Sequence, residues 1–235
     1  MARTDATALM NAIVQTACKF VTSSIGRKIL VAITGACLLA FLVGHLIGNL
    51  TIYGGPEWIN NYAHGLHTMP AWLLWSIRLG LLVIALIHVV YTLALKYENV
   101  NARQQYEYKA TITATLSSRT MVLTGIMILC FAVFHLLQFT ARVNMVEPLT
   151  ASGELNFYQM IVSAFTNGWC SLFYIVAIFC LASHVNHGVE SLLQTLGLST
   201  RKIRPLYKIV ALAYAVIVCG GFITIPVAVL LGLLK

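Results

Sequence analysis

Residues 28–50 read KILVAITGACLLAFLVGHLIGNL: a basic start, then a run in which only Thr34, His45 and Asn49 carry a polar nitrogen or oxygen in the side chain. A membrane span needs about 20 mostly apolar residues, so this stretch is long enough to cross a bilayer with an imidazole inside it. Working outward, five such segments are predicted, at 28–52, 70–97, 119–142, 168–194 and 203–233. The whole chain agrees. Of its 235 residues 59% are apolar and 9% charged, with a mean hydropathy of +0.84, which excludes a soluble domain. An unpaired backbone polar group is too costly in hydrocarbon, so apolar segments of this length are helices. The expected fold class is all-α, a transmembrane bundle of five helices.

Charge sets the expected orientation, because Lys and Arg are retained on the cytoplasmic side of short loops. Arg3, Lys19, Arg27 and Lys28 precede span one. Lys96, Arg103, Lys109 and Arg119 lie between spans two and three, and Arg201, Lys202, Arg204 and Lys208 between spans four and five. The other side holds Arg142 and Lys235. The N-terminus is therefore expected in the cytoplasm and the C-terminus outside, in a multi-pass protein of the cell's inner or cytoplasmic membrane. The formal charge of +8 is then mostly a topology signal that could also dock an acidic partner; nothing points to nucleic acid. Residues 1–27 are read as an N-terminal interfacial segment, an amphipathic helix on the inner surface, and 28–235 as the transmembrane domain. Asn11, Gln15 and Lys19 interrupt the apolar run there and no small-residue cleavage site is clear, which argues against a secretory signal. The six cysteines are scattered singly, without a CxxC pair, and read as small apolar residues of helices.

Four spans carry one deep histidine each: His45, His88, His135 and His184. A repeat relates them. Ser23-Ser24-Ile25-Gly26-Arg27 leads to Thr34-Gly35, with His45 ten residues after the glycine; Ser117-Ser118-Arg119 leads to Thr124-Gly125, with His135 again ten after. The unit is a helical hairpin used twice, and the fifth span is an addition. At about 1.5 Å per residue, His45 and His135 lie about 25 and 24 Å from the inner end, and His88 and His184 about 12 and 15 Å. His45 can thus face His135 near the outer side, and His88 can face His184 near the inner side, across the diagonals of a four-helix bundle.

Ionisable side chains within a bilayer mark a pathway, a cofactor or a relay. Two matched imidazole pairs suit two haems, each iron held by a neutral nitrogen on either face. With both axial positions filled the iron carries electrons and does not bind oxygen. Gly44, Gly48 and Gly188 would leave room for a porphyrin, although the first two also form a small-xxx-small helix contact. Arg78, about 12 Å inside span two, is expected to meet a propionate of the outer haem; snorkelling to the surface is the alternative.

Leu42-Val43-Gly44-His45-Leu46-Ile47-Gly48-Asn49, Ile87-His88-Val89-Val90-Tyr91, Val133-Phe134-His135-Leu136 and His184-Val185-Asn186-His187-Gly188 together resemble the single-chain, two-haem cytochrome b subunit of succinate:quinone oxidoreductases, the family of succinate dehydrogenases and fumarate reductases. The resemblance covers about residues 23–233. It implies five spans, two b haems, a membrane quinone, often menaquinone, and an FAD-containing flavoprotein with an iron–sulfur subunit on the cytoplasmic face. By position, His45 and His135 match the ligands of the distal haem and His88 and His184 those of the proximal haem. The family's pattern of ligand, three residues and glycine selects His184 over His187. Ala182 stands where a fumarate reductase of the family has an acidic residue associated with proton transfer, so that path does not carry over. The implied role is to anchor the hydrophilic subunits and pass electrons between their clusters and quinone, with dicarboxylate chemistry in the flavoprotein.

A quinone site needs a proton-exchanging group beside an apolar cleft. The outer loop between spans one and two offers Glu57, His64 and His67 just before Pro70, and His64 and His67 are the candidates; the alternative is solvated loop residues or a cap on span two. Three competing functions stand beside this one: a b-type cytochrome subunit of another quinone-linked dehydrogenase, a haem-free membrane anchor, and a transporter with a histidine relay. A transporter usually shows broken spans and intramembrane carboxylates, and no span here has Asp or Glu at its centre.

Overall fold

The computed structural model describes residues 2–102, 116–143, 148–151 and 153–235; Arg103 and Lys109 of the charge count lie outside them. Helix α1 (Ala2–Thr22) runs into α2 (Ser24–Leu50), followed by a 3-10 turn over Thr51–Gly54 and a short α3 (Pro56–His67). Then come α4 (Ala71–Asn101), α5 (Leu116–His135) with a π-helical turn at Leu136–Thr140, α6 (Phe157–Thr166), α7 (Gly168–Thr195) and α8 (Arg204–Leu230). Five of these helices, spanning Ser24–Gly54, Ala71–Asn101, Ser118–Thr140, Gly168–Thr195 and Arg204–Leu230, are long and apolar enough to cross a membrane. Among the described residues there is no strand, only an isolated bridge between Leu149 and Leu155.

Local chemistry sets the helix ends. Ser23 caps α2, its Oγ accepting from Gly26 N at 3.0 Å, which satisfies one of the free amides of a helix start. The corner with α1 is so tight that a Cβ on Gly26 would fall 1.8 Å from the Phe20 carbonyl oxygen. Only glycine fits. Asn167 caps α7 by accepting from Trp169 N and Cys170 N at 3.0 and 3.2 Å. At its far end Gly197, at φ +74°, allows Leu198 N to reach back to Leu193 O, the left-handed stop common after helices.

In the bundle α2 is central and packs on α4, α7 and α8, while α5 packs on α7 and α7 on α8. Helices α2 and α5 thus stand diagonally, as do α4 and α7. Arg27 pairs with Glu98, tying the start of α2 to the end of α4, and Arg204 Nε reaches Glu190 Oε1 at 3.3 Å, tying α8 to α7. This is the basic end of the bundle. Tyr214 Oη donates to Leu39 O at 2.5 Å and fastens α8 to α2.

The opposite end is closed by α3 and α6, two short helices outside the five predicted spans. They pack on each other: Asn60 Nδ2 donates to Asn156 Oδ1 at 3.2 Å, and Tyr158 N donates to Asn60 Oδ1 at 3.1 Å. Ile52, Ile59, Val162, Phe165, Tyr174, Ile225 and Val229 form one buried cluster beneath them. The two hairpins are therefore joined by a packed lid.

Candidate functional site

The four span histidines sit at two levels of the bundle. At the lidded end, His45 of α2 and His135 of α5 meet across one diagonal, with ring centroids 5.8 Å apart and planes at 84°. His45 is stacked on Phe41 at 5.3 Å, with Phe222 of α8 at 5.6 Å. Asn49 Nδ2 donates to the His45 carbonyl at 2.7 Å and lies 3.4 Å from either ring nitrogen. His135 is set among Phe131, Phe139 and Tyr174. The fifth span, which has no histidine, thus contributes Phe222 to this level.

On the other diagonal, His88 of α4 and His184 of α7 are each held by a threonine from the preceding span. Thr34 Oγ1 lies 3.2 Å from His88 Nδ1, and Thr124 Oγ1 lies 3.3 Å from His184 Nδ1. Thr34 and Thr124 stand eleven residues before His45 and His135, so the two levels are about 16 Å apart along the bundle. His187 lies one turn along α7 from His184, on the side of Glu190.

Hydrogen-bond accounting determines which ring nitrogen is available. A hydroxyl has one proton and two lone pairs. Thr34 commits its proton to Leu30 O at 2.7 Å, or to Val31 O at 3.1 Å, and Thr124 to Thr120 O or Met121 O, each at 3.1 Å. Tyr174 Oη donates to Gln138 Oε1 at 2.7 Å and lies 3.2 Å from His135 Nδ1. With the hydroxyl protons placed there, each oxygen accepts from the imidazole beside it and Nδ1 carries the hydrogen in His88, His184 and His135, while the backbone carbonyls of Val31 and Met121 also accept from His88 and His184. Nε2 is then a bare lone pair, the donor that a metal takes from a neutral histidine, with its orientation fixed by the hydrogen bond at the other nitrogen. Among the described residues no group of three or more His, Cys, Asp or Glu could hold a metal ion. The arrangement is one of pairs.

The π-helical turn follows His135 directly. A π turn adds a residue to the helical circuit and is found mostly at functional sites; here it occupies the stretch that contains Gln138, the residue that holds Tyr174. Sequence reasoning missed Tyr174 and Gln138. Tyr174 lies ten residues before His184, about 15 Å toward the lidded end, close to the separation of the two histidine levels.

The loop candidates form a second group at the lidded end. His64 Nδ1 lies 3.4 Å from Glu154 Oε1, with both side chains exposed, and His67 stacks on Phe157 at 5.4 Å. Burial and then the positive charges of Arg78, Arg142 and His64 push the His67 pKa below its ordinary value of 6.5. Arg78 is half-buried, with its guanidinium 5.5 Å from the Trp75 ring centroid, where the ring face attracts a cation. Glu154, from the loop between spans three and four, was not singled out in sequence. Since a neighbouring cation disfavours imidazolium, Arg78→Leu is expected to raise the His67 pKa toward 6.5; NMR titration of the ring checks this, and an unchanged value would separate the two groups.

No family model matches the chain, and no solved structure matches it. Over 160 residues, 68% of this chain and 73% of the relative, it is 26% identical to the succinate dehydrogenase cytochrome b558 subunit of Bacillus subtilis (strain 168). The chain is thus distantly similar to a succinate dehydrogenase cytochrome b subunit. Its five apolar helices, together with that similarity, mark the chain as a multi-pass membrane protein. The histidine pairs lie in four of those five spans.

Proposed function

We propose that this chain is the membrane-anchoring cytochrome b subunit of a succinate dehydrogenase or fumarate reductase complex and holds two b haems, one between His45 and His135 and the other between His88 and His184. The observation that carries the reading is the meeting of His45 and His135 across one diagonal, with His88 and His184 seated alike on threonines at the other level. The spacing fits. With metal–imidazole bonds of about 2 Å on both faces and about 1 Å from nitrogen to ring centre, axial rings stand about 6 Å apart, against 5.8 Å for His45 and His135. The seating of His184 on Thr124 supports it over His187 as the ligand.

When bound, such haems supply one-electron carriers at two depths of the membrane. The chain's own residues do the rest. Thr34, Thr124 and Tyr174 orient the rings, and the lid of α3 and α6 with its apolar cluster keeps water from the His45 level. His64, His67 and Glu154 offer proton acceptors at the same end, where we place the quinone site, menaquinone being the type the family resemblance suggests. Arg78 supplies a cation for a propionate of the haem at that level. The basic end, with Arg201, Lys202 and Lys208 beside the Arg204–Glu190 pair, faces the cytoplasm by the positive-inside rule and is the docking face for a flavoprotein and an iron–sulfur subunit. Purified from its native membrane, the chain is expected to bring a flavin-containing and an iron–sulfur protein with it, and succinate is expected to reduce its haem. Isolation without either partner, with no response to succinate, would refute the assignment.

A further inference from the structure

The Thr-Gly pairs of spans one and three have a use that their register with His45 and His135 does not explain. Each meets a histidine of the other diagonal. A Cβ on Gly35 would lie 3.2 Å from His88 Cε1 and 3.6 Å from Nδ1; one on Gly125 would lie 3.3 Å from His184 Cε1 and 3.7 Å from Nδ1. With the threonine contacts at 3.2 and 3.3 Å, the two seats match to within about 0.1 Å although they come from different helices. In each, the histidine N–H meets the threonine hydroxyl and the backbone carbonyl three residues before it, Val31 or Met121, and the glycine lets the imidazole edge lie against the helix backbone.

We propose that Thr34-Gly35 and Thr124-Gly125 are twin positioning seats that fix the tautomer and raise the basicity of His88 and His184, and thereby set the affinity and lower the potential of the haem held at that level. This rests on the two-haem reading. The physical cause is general: an acceptor at the outer nitrogen of an axial imidazole makes its inner nitrogen a stronger donor, and loss of such a partner costs about 10–100-fold in metal affinity. A more basic ligand favours the ferric ion. Valine replaces threonine at nearly the same volume but accepts no hydrogen bond. In Thr34→Val and Thr124→Val the midpoint potential of the His88/His184 haem should therefore rise, and its retention should weaken by up to about 10-fold, the Val31 and Met121 carbonyls remaining as acceptors. The His45/His135 haem should keep its potential. Thr34→Ser and Thr124→Ser retain the acceptor and should restore wild-type behaviour, which a purely volumetric role would not require.

The experiment is a redox titration of the purified complex followed optically and by EPR, so that the two haems are read separately. Electron–nuclear double resonance is expected to find the exchangeable Nδ1 hydrogens of the inner ligands more strongly hydrogen-bonded in the wild-type protein than in the valine variants. Valine variants with wild-type potential and haem retention, or with an unchanged Nδ1 hydrogen signal, would overturn the seats while leaving the two-haem reading in place. A wild-type complex with no haem at His88 and His184 would overturn both.

Discussion

His135→Ala is expected to leave a protein with one haem, lacking the one at the lidded end, and His184→Ala a protein with only that one. The expectation follows from the separation of the two levels, about 16 Å along the bundle, and from their independent supports. His135 is held by Tyr174 and Gln138, whereas His184 is held by Thr124. No hydrogen bond joins the two seats among the described residues, and sites this far apart with no shared partner respond independently. Removing an axial imidazole takes away one of the two strong bonds to the iron, so the loss at the altered level should be nearly complete. Difference spectra of the two variants, recorded against haem content, check this. Loss of both haems from either single variant would mean that the levels are not independent. Retention of both would take the altered histidine out of the ligand set.

The double variant His64→Ala, His67→Ala is expected to lose quinone turnover by about 10²–10⁴-fold, the range that positioned acid–base groups contribute, with haem content unchanged. His67 is suited to accept a proton at neutral pH. Burial and the charges of Arg78, Arg142 and His64 hold it below 6.5, so the neutral imidazole predominates and its ring is kept in place by stacking on Phe157. His64 faces Glu154, which could pass a proton on to solvent. Glu154→Gln is then expected to slow turnover less than the double histidine change. Quinol oxidation and quinone reduction measured with the intact complex decide the matter. Wild-type turnover in the double variant would remove this loop from the quinone site.

The spans were legible because a bilayer imposes one length and one composition on them; the five apolar segments and the five membrane-length helices coincide closely, for example 168–194 against Gly168–Thr195. Depth alone gave the two levels of the histidines, since a helical rise is fixed; their diagonals depend on α2 packing against both α4 and α7, which is a tertiary fact. Helices α3 and α6 were not legible as helices. They are short, lie outside the hydrocarbon length rule, and are stabilised by contacts with each other through Asn60 and Asn156, which no local pattern announces. The Thr-Gly repeat was visible, but as a register mark for the histidine on its own span. Its contact with the histidine of the next span is a tertiary fact, set by how α2 meets α4 and α5 meets α7. Tyr174 was hidden for the opposite reason: a tyrosine in an apolar helix looks like core until its hydroxyl is seen between His135 and Gln138.

The measurement that tests the central claim most directly is the haem-to-protein ratio of the complex purified from its native membrane, by pyridine haemochrome, with a reduced-minus-oxidised spectrum of the same sample. The account predicts two b haems per chain, reducing in two resolved steps. A single haem would show that one diagonal pair does not ligate iron, and none would contradict the account and leave the four histidines as contacts between helices.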